Sequence, residues 1–72
     1  MATPITNTIR HLRFHHGEMT QQELADRVGA TRQTIHAIEA GKYGPSLELA
    51  FRIAAAFEVP ITEVFCFEPD EG

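Results

Sequence analysis

The 72-residue sequence contains one cysteine, Cys66, and no tryptophan. A lone thiol closes no disulfide within the chain, and without a Cys-x-x-Cys pair it builds no zinc knuckle, so the usual staples of a small domain are missing. No apolar run approaches the ~20 residues of a membrane span. Met1 to Thr8 lacks the basic-then-apolar order of a secretory leader, which makes the expected location cytoplasmic, with no membrane partner. There is no Gly/Ser linker, repeat or low-complexity tract. No Ser/His/Asp set, Cys/His pair or glycine-rich loop with its lysine is present, so catalysis is not expected, and nothing points to a cofactor or small-molecule ligand.

Basic charge is also scarce, with six Lys and Arg against ten Asp and Glu, for a net charge of −4. The imbalance is local. Residues 1–45 carry Arg10, Arg13, Arg27, Arg32 and Lys42 against Glu18, Glu23, Asp26 and Glu39, whereas residues 46–72 set Arg52 alone against six acids. One face can therefore be neutral to basic, and it can meet a polyanion with modest non-specific affinity. The hydrophobic content of 43% is ordinary for one globular core, which is all that this length supports. With disulfide and metal excluded, a partner subunit is the remaining support for so small a domain.

Periodicity predicts five helices. Ile9 and Leu12 lie three apart within Asn7 to His16, with Thr6 or Asn7 as cap, Phe14 placed to join the buried side and Gly17 as the break. Thr20 and Glu23 form a capping box before Leu24, Ala25 and Val28, and Gly29 ends that second helix. Thr31 caps a third, whose Ile35 and Ile38 point inward and which Gly41 stops. Lys42 to Pro45 is a loop. Ser46 caps a fourth helix, with Leu47, Ala50, Ile53, Ala54 and Phe57 at helical spacing, and Pro60 opens a short fifth one through Ile61, Val64 and Phe65. Phe65-Cys66-Phe67 alternates as a strand would, and the β-branched stretch Thr3 to Thr6 can pair with it.

Two helices cross steeply through a short turn only if the contact residue is small and the turn accepts positive φ. Ala25 supplies the contact, Gly29 the turn, and Ile35 with Ile38 the anchor, so that Gln21, Ala25, Gly29, Ile35 and Ile38 together meet the demands of a helix-turn-helix over residues 20–39. The same spacing fits an ordinary helical hairpin in a small bundle. What separates the two is the longer run. TRQTI at 31–35, IEAGKY at 38–43 and PSLELA at 45–50 resemble, in combination, the Cro/phage-repressor class of regulators, and in particular its short stand-alone dimeric members of the cytolysin-repressor kind. The resemblance spans roughly Asn7 to Glu68. It implies an all-α, five-helix repressor-like domain over residues 1–72, with its core at about 9–65 and a small antiparallel sheet of the terminal segments at a homodimer interface. It also implies sequence-specific binding of a palindromic double-stranded DNA operator and transcriptional regulation, with repression of a nearby operon or of its own gene.

Within that frame the residues divide by job. The amino end of the recognition helix enters the major groove, which brings Thr31, Arg32 and Gln33, then His36 and Ala37 one turn on, to the bases. The Arg32 fork suits guanine O6 and N7 and the Gln33 amide suits adenine N6 and N7, each discriminating by ~1–3 kcal/mol. Arg32 can equally be a phosphate contact or a solvated charge. Gln21, at the free amides of its helix, can hold a phosphate oxygen, as can Thr34. The resemblance implies further backbone contacts from Lys42 and Tyr43, although the Tyr43 ring can instead pack on its loop. It also pairs Arg13 with Glu39 as a buried structural ion pair, subject to Gly17-Glu18-Met19 being one residue longer than the usual turn. Ile5, Ile61, Val64, Phe65, Cys66 and Phe67 are the surplus apolar residues expected at the dimer interface.

Two other patterns carry less. His11 and His15 stand one helical turn apart next to His16, but no third ligand motif accompanies them and no metal is expected. Cys66 between two phenylalanines reads as packing before it reads as a redox sensor. The competing function is an antitoxin-like module that neutralises a toxin through the acidic end, with DNA binding as autoregulation.

Overall fold

Three side-chain hydroxyls decide where three of the helices begin. In the computed structural model, Thr20, Thr31 and Ser46 accept hydrogen bonds from the backbone N–H groups of Glu23, Thr34 and Leu49 at 3.0, 3.1 and 3.2 Å. Each satisfies a first-turn donor that a helix cannot satisfy internally. At Thr20 the box is complete, because Glu23 Oε1 accepts from the Thr20 N–H at 2.8 Å. That bond holds the Glu23 carboxyl below the usual carboxylate range.

The structure describes residues 4–42 and 44–68. In chain order they form β1 (Ile5–Asn7), α1 (Ile9–His15), α2 (Gln21–Val28), α3 (Arg32–Glu39), α4 (Leu47–Phe57), α5 (Ile61–Val64) and β2 (Phe65–Phe67). The five helices and the small sheet are those expected. The strands pair antiparallel with Ile5 opposite Phe67, Thr6 opposite Cys66 and Asn7 opposite Phe65. The N-terminal strand ends at Asn7, one residue later than its sequence pattern indicates, and the Thr3 end of that expectation lies outside the described residues.

Helix ends follow chain chirality. Gly29 and Gly41 adopt φ of 74° and 73°, and beyond α3 the N–H groups of Gly41 and Lys42 return to the carbonyls of Ile38 and Ala37. This closing pattern needs a left-handed residue, which glycine adopts without steric cost. The turn between α1 and α2 contains two successive left-handed residues, Gly17 (φ 75°) and Glu18 (φ 55°). Met19 then donates its N–H to the Arg13 carbonyl at 2.9 Å and turns its side chain into the core.

The core is a single cluster in which Ile9, Met19, Leu24, Ala25, Val28, Ile35, Ile38, Ile53, Ala54, Phe57 and Val64 are all buried. It draws residues from every helix, and its non-directional burial sets how α2 lies against both α3 and α4. Two expectations about sidedness are corrected here. Phe14 does not join the buried face and is 64% exposed; Leu47 is 72% exposed although Ala50, Ile53, Ala54 and Phe57 of the same helix are buried. At α1 the cap is also different. Thr6 lies in β1, Thr8 occupies the cap position but donates its hydroxyl to the Glu63 carbonyl at 2.7 Å instead of capping, and Asn7 Oδ1 accepts from the Ile9 N–H at 3.2 Å.

Candidate nucleic-acid interface

The exposed face of α3 begins at its cap. With Ile35 and Ile38 buried against the core, the helix turns Arg32, Gln33 and His36 into solvent, and Thr34 and Ala37 are half-buried at the edges of that face. Three side chains with fork, amide and imidazole donors thus project from a helix that their neighbours hold rigidly. Thr31 is exposed, but its hydroxyl is spent locally: it accepts from the Thr34 N–H and lies 2.9 Å from the Thr34 hydroxyl. One of these two hydroxyls donates to the other, so the pair has a single O–H left for an outside acceptor.

Behind the exposed face, Arg13 and Glu39 tie α1 to the end of α3. Arg13 Nε and Nη2 donate to Glu39 Oε2 and Oε1 at 2.6 and 3.0 Å, and Arg13 Nη1 donates to the Met19 carbonyl at 2.7 Å. Their side chains are only 15% and 9% exposed. Gln21 joins this group, since its Nε2 donates to Glu39 Oε1 at 3.1 Å. The Gln21 amide therefore has its carbonyl oxygen and one N–H left over, and any phosphate contact it makes is aimed by Glu39. Asn7 adds a further brace, donating from Nδ2 to the Ile38 carbonyl at 2.9 Å.

Lys42 is exposed just beyond α3, and Tyr43 lies outside the described residues. Sequence reasoning overlooked Arg10. It is exposed on α1 and lines, with Arg13, Gln21, His36, Glu39 and Ala40, a cleft of about 380 Å³ between the first three helices. Its spacing of three from Arg13 was the available signal, because residues three apart share a helical face.

On another side of the molecule an apolar surface surrounds the sheet. Ile5, Pro45, Leu47, Ala50, Ile61 and Phe65 line a shallow depression of about 290 Å³, with Phe67 65% exposed and Phe51 54% exposed. Cys66 is an exposed free thiol. Val64 differs from the other residues expected at this surface: it is 1% exposed and packs inside the core, beneath the surface rather than on it. Leu47 and Phe51 were not anticipated here, although their i, i+4 spacing is that of neighbours on a helix face. Among the described residues no three His, Cys, Asp or Glu side chains gather as metal ligands; the His11 and His15 rings meet at a tilt of 54° with centroids 4.3 Å apart. No helix among the described residues is long and apolar enough to cross a membrane.

The sequence matches the helix-turn-helix family model over residues 10–64. It is 51% identical over 65 residues to an HTH-type transcriptional regulator of Methanocaldococcus jannaschii, covering 90% of this chain and 97% of that one. It is 44% identical over 64 residues to an HTH-type transcriptional regulator of Bacillus subtilis, covering 89% and 96%. Among solved structures, the restriction-modification controller protein of Aeromonas hydrophila superposes with a TM-score of 0.70 at 29% identity, covering 76% of this chain and 82% of that one. The P22 c2 repressor, solved with a synthetic operator, shares the fold with a TM-score of 0.69 at 22% identity over 75% of this chain and 80% of that one.

Proposed function

The chain belongs to the helix-turn-helix family of transcriptional regulators, and from that premise we propose that it is a dimeric repressor that reads a palindromic operator in double-stranded DNA. The observation that carries this reading is the solvent face of α3, where Arg32, Gln33 and His36 stand exposed on a helix capped by Thr31 and anchored by Ile35 and Ile38. Thr31 and Ala37 border the same base-reading face. Gln21, Thr34, Lys42 and Tyr43 take the phosphates on either side. Arg13 and Glu39 hold the helix at its angle and touch no base.

One recognition helix spans only a few base pairs, so selectivity calls for two of them, set about 34 Å apart on successive major-groove turns. The exposed apolar surface formed by Ile5, Leu47, Phe51, Ile61, Phe65 and Phe67 supports a second copy as partner, because monomers seldom leave such a patch uncovered. Repression follows from occupancy alone, since a bound dimer excludes polymerase without any further contact surface.

Selection from random duplex DNA tests this function. The expected result is an enriched palindrome whose half-sites lie one helical turn apart and whose binding blocks transcription in vitro from a promoter that contains it. No enrichment, even at low salt, would sink the proposal.

A further inference from the structure

We propose that Arg10 is a DNA-phosphate contact, reaching from α1 across the cleft shared with Gln21 and His36; this rests on the DNA-binding reading above and extends its footprint to the first helix. The cleft holds three charged side chains, Arg10, Arg13 and Glu39. Arg13 is engaged at all three guanidinium nitrogens, two of them donating to Glu39 and one to the Met19 carbonyl, and its charge is paired with Glu39. Glu39 in turn is neutralised by Arg13. The net positive charge of the cleft is thus the charge of Arg10, which is exposed and has no ion pair or side-chain hydrogen bond among the described residues.

Its placement matches that charge. The same cleft is bordered by His36 on the exposed face of the recognition helix and by Gln21 at the start of α2, so a duplex seated on α3 passes its backbone beside α1. An uncommitted guanidinium there offers two parallel N–H donors to a phosphate and releases a counterion on binding. Arg10 thereby adds a cation on the α1 side of the interface to Arg32 at the amino end of α3 and Lys42 just beyond its carboxyl end.

The test uses the full chain, the duplex that it selects and a scrambled duplex of equal length. Dissociation constants are measured between 50 and 200 mM KCl for the parent protein, Arg10→Ala and Arg10→Lys. In Arg10→Ala the slope of log affinity against log salt should fall by about one per bound subunit. Affinity should drop about tenfold at the low-salt end for both duplexes alike, as loss of a charge-assisted hydrogen bond predicts. Arg10→Lys should restore the slope. Thermal melting of Arg10→Ala should match the parent, because the side chain is exposed and unpaired. An Arg10→Ala protein with the parent slope and affinity overturns the proposal, as does a loss confined to one base position, which would make Arg10 a base reader. Failure of the DNA-binding reading looks different: the parent protein itself would then bind neither duplex at 50 mM.

Discussion

Glu39 accepts three hydrogen bonds on two carboxylate oxygens, two from Arg13 and one from Gln21. Since both members of the ion pair are largely removed from water, truncating one leaves the other charge buried without compensation, which costs about 3 kcal/mol or more. Glu39→Ala should therefore melt at least about 10 °C lower than the parent, given the several degrees per kcal/mol typical of domains this size. Glu39→Gln, which keeps an acceptor oxygen, should lose less. Differential scanning calorimetry of the two variants decides the matter, and an unchanged midpoint in Glu39→Ala would remove Arg13–Glu39 from the forces that hold α3. The position of Glu39 was legible in the run IEAGKY, but its second partner was not, because the reach of Gln21 across from α2 depends on how the helices are packed. Arg10 was missed for a related reason: its spacing of three from Arg13 puts both on one helical face, but only the packed cleft shows what that face meets.

At the scale of elements, local chemistry was the most legible. Thr20 with Glu23, Thr31 and Ser46 marked helix starts, and Gly29 and Gly41 marked ends, since caps and left-handed residues act within a few positions of themselves. Which face of each helix is buried was less so. The seven residues of α1 make barely two turns, so Phe14 fitted the apolar stripe on paper, yet it stands outside the core. Glu58 gave no warning at all. It ends α4 at φ 57°, returning its N–H to the carbonyls of Ala54 and Ala55, in the role that Gly41 plays after α3. A side chain with Cβ pays for that conformation, and a glycine there loses only some of the gain to the greater freedom of the unfolded chain. Glu58→Gly should raise stability by about 0.5–1 kcal/mol, measured by urea unfolding at constant m-value. A loss of stability would mean that the Glu58 side chain contributes more than its backbone strain costs.

At the scale of the whole molecule, surface chemistry separates two ways of disturbing the apolar face around the sheet. Val64 is packed within the protomer, so truncating it should lower the melting point of the domain itself, whatever its assembly. Leu47 lies in the depression beside Ile5, Ile61 and Phe65 and is mostly in solvent, so a charge placed there leaves the core intact. In a dimer closed through this face, the same charge would be buried without a partner in both copies, since a two-fold interface repeats each residue. Light scattering at micromolar concentration should then give about twice the 8.0 kDa chain mass for the parent and the single-chain mass for Leu47→Asp. The variant should retain the parent circular-dichroism spectrum while losing most of its affinity for a full palindrome and little of its weak affinity for a half-site. A parent protein that scatters as a monomer, or a Leu47→Asp protein that still dimerises, would place the interface elsewhere. On the proposed reading, Arg32, Gln33 and His36 are too few to select a site alone, so selectivity for the operator should fall with the dimer even though these three residues remain in place.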